Sequence, residues 1–187
     1  MTIAGHLPVR ARLDRRWRNG GGVTREIAIF PENAGDGDFL WRASIATIDA
    51  AGPFSLWPGV DRLLMLLQGR LAITIEQTGE QHLAPGDPAL AFAGETAVEA
   101  APVGNPCIVF NIMTRRGGRH ARLGPWIPGR ISIARQILLL ATEDGAVNLH
   151  GETLALDAHD ALLLDAEDAA ALNSDRPLVA AEFFAAT

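Results

Sequence analysis

The sequence predicts an all-β fold made of two jelly-roll-like β-barrels packed together. Three observations carry this expectation: short β-like runs parted by Gly/Pro turns, no sustained helical period in the first part of the chain, and an internal repeat. With 187 residues, the chain can bury about 70% of its unfolded surface, so it needs no metal or disulfide staple to fold.

The strand candidates come in order. Residues 23–30, 41–48, 62–67, 71–77, 88–92 and 108–113 are rich in β-branched and apolar side chains. Gly52-Pro53, Pro58-Gly59, Gly79, Pro85-Gly86 and Gly104-Asn105-Pro106 supply the turns between them. Then the rhythm repeats. Leu83, Pro85, Gly86, Asp87 and Leu90 fall opposite Leu156, Ala158, His159, Asp160 and Leu163. Each copy follows a Gly-led strand, at 69–75 and 145–149, and leads to another apolar strand, at 108–113 and 178–184. This hairpin pattern is that of a double-sheet jelly roll, and two copies predict a bicupin. The expected division puts residues 1–116 in an N-terminal barrel with shared strands and 117–187 in a C-terminal barrel, within one unit spanning 1–187. Residues 165–171 are acidic and Ala-rich, so helical by propensity, but the strand rhythm beside them argues for β.

Composition excludes several chemistries. The 16 basic residues are all arginine, against 22 acidic ones, for a net charge of −6. Without lysine there is no Schiff base, no P-loop and no lysine general base. The negative balance argues against nucleic acid as a partner. The single cysteine, Cys107, excludes an internal disulfide, opens an apolar run and fits a reducing compartment. No apolar stretch approaches the roughly 18 residues of a membrane span. Arg15-Arg16 is followed by Trp17-Arg18-Asn19-Gly20, not by the apolar core of a twin-arginine signal. A soluble, cytoplasmic protein is expected. His6, His82, His120, His150 and His159 are scattered with no His-x-His pair, so neither a metal nor another cofactor is expected.

Four segments hold the candidate binding residues. In Trp17-Arg18-Asn19-Gly20-Gly21-Gly22-Val23-Thr24-Arg25-Glu26, three glycines allow backbone N–H groups to converge on an anion, and Thr24 and Glu26 share one strand face. In the next strand Arg42, Ser44 and Ala46 share a face, and Arg42 beside a hydroxyl suits a carboxylate clamp. Asp61 and Arg62 close a turn, either as a local ion pair or with Arg62 reaching a ligand. Asn111 and Met113 share a face of an otherwise apolar strand, where an amide left unpaired costs about 1–3 kcal/mol. The run from Arg115 to Arg122 reads as a solvated basic linker.

In order and spacing these segments resemble the HutD/Ves family of cupin-like proteins. The matching residues are Trp17, Asn19, Gly20, Gly21, Gly22, Thr24 and Glu26, then Phe39, Trp41, Arg42, Ser44 and Ala46. They continue through Gly52-Pro53-Phe54-Ser55, Pro58-Gly59, Asp61-Arg62, Pro85-Gly86-Asp87, Phe110-Asn111, Met113 and Arg115-Arg116. The resemblance implies a two-barrel cupin fold without the usual metal motif, and a protein that binds urocanate or formylglutamate and restrains histidine utilisation. Members outside that setting are described as stress-responsive. Arg18 stands where lysine is common in the family and Trp57 where a smaller aromatic is usual; either exchange alters ligand preference.

The leading expectation is a non-catalytic binding protein for a small carboxylate. Arg42 anchors the carboxylate, Asn19, Thr24, Ser44 and Asn111 orient the ligand, and Trp17 and Met113 form an apolar wall. Arg18, Gly21, Glu26 and Arg62 complete the candidate set. One alternative is a metal-independent enzyme acting on the same compounds, with Glu26 as general base. Another is a homodimeric interaction protein exposing a sheet edge.

Overall fold

The computed structural model describes residues 5–76 and 78–185, and it is almost entirely β. The strands run β1 (His6–Leu7), β2 (Asp14–Arg16), β3 (Gly22–Phe30), β4 (Trp41–Ile48), β5 (Gly52–Pro53) and β6 (Val60–Gln68). There follow β7 (Leu71–Ile75), β8 (Gly79–Leu83), β9 (Leu90–Ala93), β10 (Val98–Pro102), β11 (Cys107–Arg115) and β12 (Arg119–Pro125). The last are β13 (Gln136–Ala141), β14 (Gly145–Leu149), β15 (Glu152–Leu156), β16 (Ala161–Leu164), β17 (Asn173–Ser174) and β18 (Leu178–Ala185), with one helix, α1 (Ala166–Ala171), before β17. Gln77, expected at the end of the 71–77 strand, lies outside the described residues. Among the described residues no helix is long and apolar enough to cross a membrane.

Two compact units result. One is Leu13–Gly118; the other joins the chain up to Arg12 with the chain from Arg119 onward. The first residues, expected in the N-terminal barrel of 1–116, belong to the second of these units. They pair elsewhere, because His6 and Leu7 lie antiparallel to Leu162 and Ala161. The buried Asp160 fastens this segment, accepting from the Val9 N–H at 2.6 Å and meeting His6 Nε2 at 3.0 Å.

The Leu13–Gly118 unit contains a six-stranded sheet, β2-β3-β4-β11-β6-β9, and a four-stranded sheet, β5-β10-β7-β8. Alternation along each strand gives the sheets apolar faces that share a core: Ile48, Leu66 and Val109 from the first with Leu71, Ile73 and Val98 from the second. Cys107 belongs to this core, fully buried, with burial pushing its thiol pKa up. The other unit follows the same plan, with a five-stranded sheet, β1-β16-β13-β18-β12, and a three-stranded one, β15-β14-β17. Leu139 and Leu162 of the first pack with Val147 and Leu156 of the second.

The repeat is visible in the backbone. Gly86 and His159 both take positive φ, 96° and 73°. In both turns the next residue's carboxylate caps the bend: Asp87 accepts from the Ala84 N–H at 2.8 Å, and Asp160 from the Asp157 N–H at 3.2 Å.

Two local expectations fail. Residues 166–171 are helical because Asp165 caps them, its side chain accepting from the Asp168 N–H at 2.8 Å, with Glu167 and Asp168 in the first turn. The Arg115–Arg122 run is no solvated linker. It ends one strand and begins another, β12 pairing with β18. Its charges are matched: Arg116 binds Asp61 at 2.7 Å and also Glu95, while Arg122 binds the buried Glu182 at 2.6 Å.

Candidate functional site

Strand register builds the site. Directly opposed residues of an antiparallel sheet share a face, so the six-stranded sheet presents three rows toward its partner sheet. The first row is Thr24, Ala46, Val109 and Leu66; the second is Glu26, Ser44, Asn111 and Leu64. A bulge in β3 between Glu26 and Ala28 shifts the third row, which reads Ile29, Arg42, Met113, Arg62 and Phe92. The rows grade from apolar to polar. Leu64, Leu66, Ala46 and Val109 join the core, whereas Ser44, Asn111, Arg42 and Arg62 are the polar floor of a cavity of about 580 Å³.

The two floor arginines stand on one row with Met113 between them, and their surroundings differ. Arg42 is already neutralised: its Nε lies 2.7 Å from Glu26 Oε2 and its Nη1 3.3 Å from Asp36 Oδ1. The expected carboxylate anchor thus stands between two acidic neighbours. Arg62 has no carboxylate partner among the described residues. Only 8% exposed, it makes two long contacts, Nη1 to the Ser55 carbonyl and Nη2 to Asn111 Oδ1, both 3.5 Å. Its Nε is buried without a hydrogen-bond partner, as is that of Arg42, which meets Glu26 as an ion pair only. The guanidinium carbon sits 5.0 Å from the ring centroids of both Phe54 and Phe92. Burial pushes its pKa down to about 10. The local Asp61–Arg62 ion pair does not form, because neighbours on a strand point to opposite faces and Asp61 turns to Arg116.

The Trp17 loop closes one side. The indole Nε1 donates to Thr24 Oγ1 at 2.8 Å, and the ring meets Phe54 edge-on at 6.0 Å. The glycines serve this loop and not an anion nest. The Gly21 N–H donates to Asn19 Oδ1 at 3.0 Å, so it is occupied. Gly22 is required by crowding: a Cβ there would stand 2.4 Å from the Thr47 carbonyl oxygen and 3.2 Å from the Trp17 ring.

Of the sequence-predicted residues, Trp17, Arg18, Asn19, Thr24, Arg42, Ser44, Arg62, Asn111 and Met113 line this one cavity. Gly21 and Glu26 do not; Glu26 acts behind Arg42. The lining also includes residues outside the candidate set. Ala46 and Val109 follow from the same period of two as Ser44 and Asn111. Phe54 and Ser55 lie in a Gly/Pro-rich segment that carries the family resemblance without an assigned role, and Trp57, expected to bear on ligand preference, is in the lining. Asp36 comes from a loop with no periodic signal, and Arg15 and Arg16 read only as a failed export signal. Among the described residues no group of three or more His, Cys, Asp or Glu is placed to hold a metal ion.

A two-sheet β unit with a cation-floored cavity of this construction has relatives. The chain belongs to the HutD family, whose model matches residues 10–180. It is 44% identical over 108 residues to Protein Ves of Citrobacter koseri, a match covering 57% of this chain and 56% of that relative's length. The solved structure of HutD from Pseudomonas fluorescens SBW25 superposes with a TM-score of 0.80 at 28% identity, covering 97% of this chain and 98% of the other. A conserved protein of unknown function from Pseudomonas aeruginosa PAO1 superposes with a TM-score of 0.82 at 27% identity, covering 96% and 98%.

Proposed function

We propose that this protein is a non-catalytic binding protein for a small carboxylate, held in the cavity of the Leu13–Gly118 unit with Arg62 as its anchor. One observation carries the reading: a buried guanidinium in the cavity floor lacks a carboxylate partner among the described residues and makes only two long hydrogen bonds. An unpaired buried cation is unfavourable, and a ligand carboxylate is the group that completes it. Asn111 and Ser44 neighbour Arg62 and Arg42 across the strands and orient the ligand, while Trp17, Phe54 and Met113 supply apolar contact.

Membership of the HutD family supports histidine utilisation as the setting and urocanate or formylglutamate as ligands, in the cytoplasm. The repeated turn supports a bicupin architecture, each two-sheet unit being one barrel. Binding is favoured over turnover because Glu26, the candidate base, is ion-paired to Arg42 and does not line the cavity. Calorimetric titration with urocanate and formylglutamate tests the reading. Heat with either, lost in Arg62→Ala, supports it; no heat with both, or an unchanged affinity in Arg62→Ala, rejects it. Turnover of either compound on prolonged incubation, followed by mass spectrometry, rejects the non-catalytic assignment alone.

A further inference from the structure

We infer that Asp36 is a built-in competitor of the ligand: its carboxylate holds Arg42 at the cavity floor and is displaced when an anion enters. This rests on the carboxylate-binding reading and adds a regulation of that same site.

Arg42 meets two carboxylates, and they are held differently. Glu26 belongs to strand β3, lies 2.7 Å from Nε and does not line the cavity. Asp36 comes from the loop between β3 and β4, with its Oδ1 3.3 Å from Nη1, and it is the one acidic residue of the cavity lining among the described residues. Its side chain is 73% exposed, against 10% for that of Arg42. An ion pair with one partner mostly in water contributes little, so separating Asp36 from Arg42 costs little. The buried guanidinium gains more from a ligand carboxylate that makes a shorter, better aligned hydrogen bond.

The loop is anchored at its base and loose at the side chain that matters. The Leu40 N–H donates to the Phe30 carbonyl at 2.6 Å. Phe39 is fully buried with Val60 and Met113, and Ala34 packs on the same cluster. Arg115 adds two bonds, from Nε to the Phe39 carbonyl at 3.2 Å and from Nη2 to the Asp36 carbonyl at 3.3 Å. The backbone is thus tethered while the Asp36 carboxylate has one long contact. Gly35 and Gly37 flank it, and neither takes positive φ. A Cβ at Gly37 would meet nothing within 4 Å, and one at Gly35 only Asp38 Oδ2 at 3.8 Å. Sterics do not demand glycine at either place; what the two supply is local freedom for Asp36 to turn away.

Arg42 and Arg62 stand on one row with Met113 between them. A carboxylate arriving at Arg62 therefore meets Asp36 as a like charge in the same cavity, and repulsion drives the loop acid outward. Asp36 raises the anion concentration at which the cavity fills.

Titration calorimetry with urocanate and with formylglutamate, on the parent, Asp36→Asn and Asp38→Asn, provides the test. Asp36→Asn should bind at least one compound about 3–10-fold more tightly than the parent. Asp38→Asn removes an equal charge from an exposed residue of the same loop that does not line the cavity. It should change affinity less than about 2-fold, because solvent screens that charge. A crystal structure of the parent with the tighter-binding compound should place the Asp36 carboxylate beyond hydrogen-bonding distance of Arg42. Unchanged or weaker binding by Asp36→Asn, an equal gain in Asp38→Asn, or a complex that keeps the Asp36–Arg42 contact overturns the inference and leaves the carboxylate reading intact. No heat with either compound from any of the three proteins overturns both.

Discussion

Glu26 and Arg42 meet across adjacent strands, with Oε2 and Nε 2.7 Å apart. Arg62, two strands further along the same sheet, has no carboxylate partner among the described residues. Glu26, a candidate ligand contact and the base of the alternative enzyme reading, thus pairs with a neighbouring cation. The consequences can be measured.

Arg62 trades stability for binding. Desolvating an ion costs several kcal/mol, which its two long hydrogen bonds and the contacts with Phe54 and Phe92, worth about 1–2 kcal/mol, offset only in part. Arg62→Met should therefore raise stability by about 1 kcal/mol, or roughly 2–4 °C in melting temperature. The same variant should lower carboxylate affinity about 10–100-fold. Differential scanning fluorimetry and calorimetric titration check the two halves; a variant that melts lower contradicts the assignment.

Asp160 should dominate part of the acid limb. Burial alone pushes its pKa up, but the Val9 N–H, His6 and the Asp157 N–H outweigh it, and the net direction is down from the ordinary 3.8. A carboxylate with a lowered folded pKa contributes stability that is present above the unfolded value. That contribution is lost as pH falls below 3.8 through the folded value. Denaturant midpoints measured from pH 6 down to about 3 should fall in the parent protein. They should fall less steeply in Asp160→Ala, which costs about 3–5 kcal/mol at neutral pH because its partners are left unpaired.

Gly22→Ala should disturb the site from behind. The added methyl meets the Thr47 carbonyl oxygen, a backbone atom that cannot swing away. A loss of about 1–3 kcal/mol is expected, with a shift in Trp17 fluorescence as the indole is displaced. An alanine that leaves both unchanged would show that the loop is not as tightly seated as described.

Asp165→Ala removes the N-cap of α1 and should cost about 1 kcal/mol. Asp165→Asn, which keeps an acceptor, should restore most of it. Urea unfolding of the three proteins compares them directly.

The strands and the repeat were legible because both depend on local chemistry. Period two placed Arg42, Ser44 and Ala46 together, and the turn pairing of Gly86 with His159 held even though histidine rarely takes positive φ. Cavity membership was legible for residues in such strands. What was hidden depends on distant partners. Nothing in the sequence says that Arg42 finds Glu26 and Asp36 while Arg62 finds neither, nor that Glu182 and Glu95 will claim the arginines of the 115–122 run. The bulge at Ile27 was equally silent, yet it decides which residue of β3 stands opposite Arg42. The short helix was misjudged because one cap and two first-turn acids outweighed a neighbouring rhythm.

Pairing of His6 with Leu162 has a temporal meaning. The ribosome makes Leu13–Gly118 as one uninterrupted stretch, so every partner within that unit follows in close succession. His6 and Asp160 are 154 residues apart in the chain. During synthesis the first strand must wait, unpaired, until the chain has been made through Leu162, and closing that long loop comes after the pairing within Leu13–Gly118. The cavity-bearing unit has all its strands before the other has half of its own.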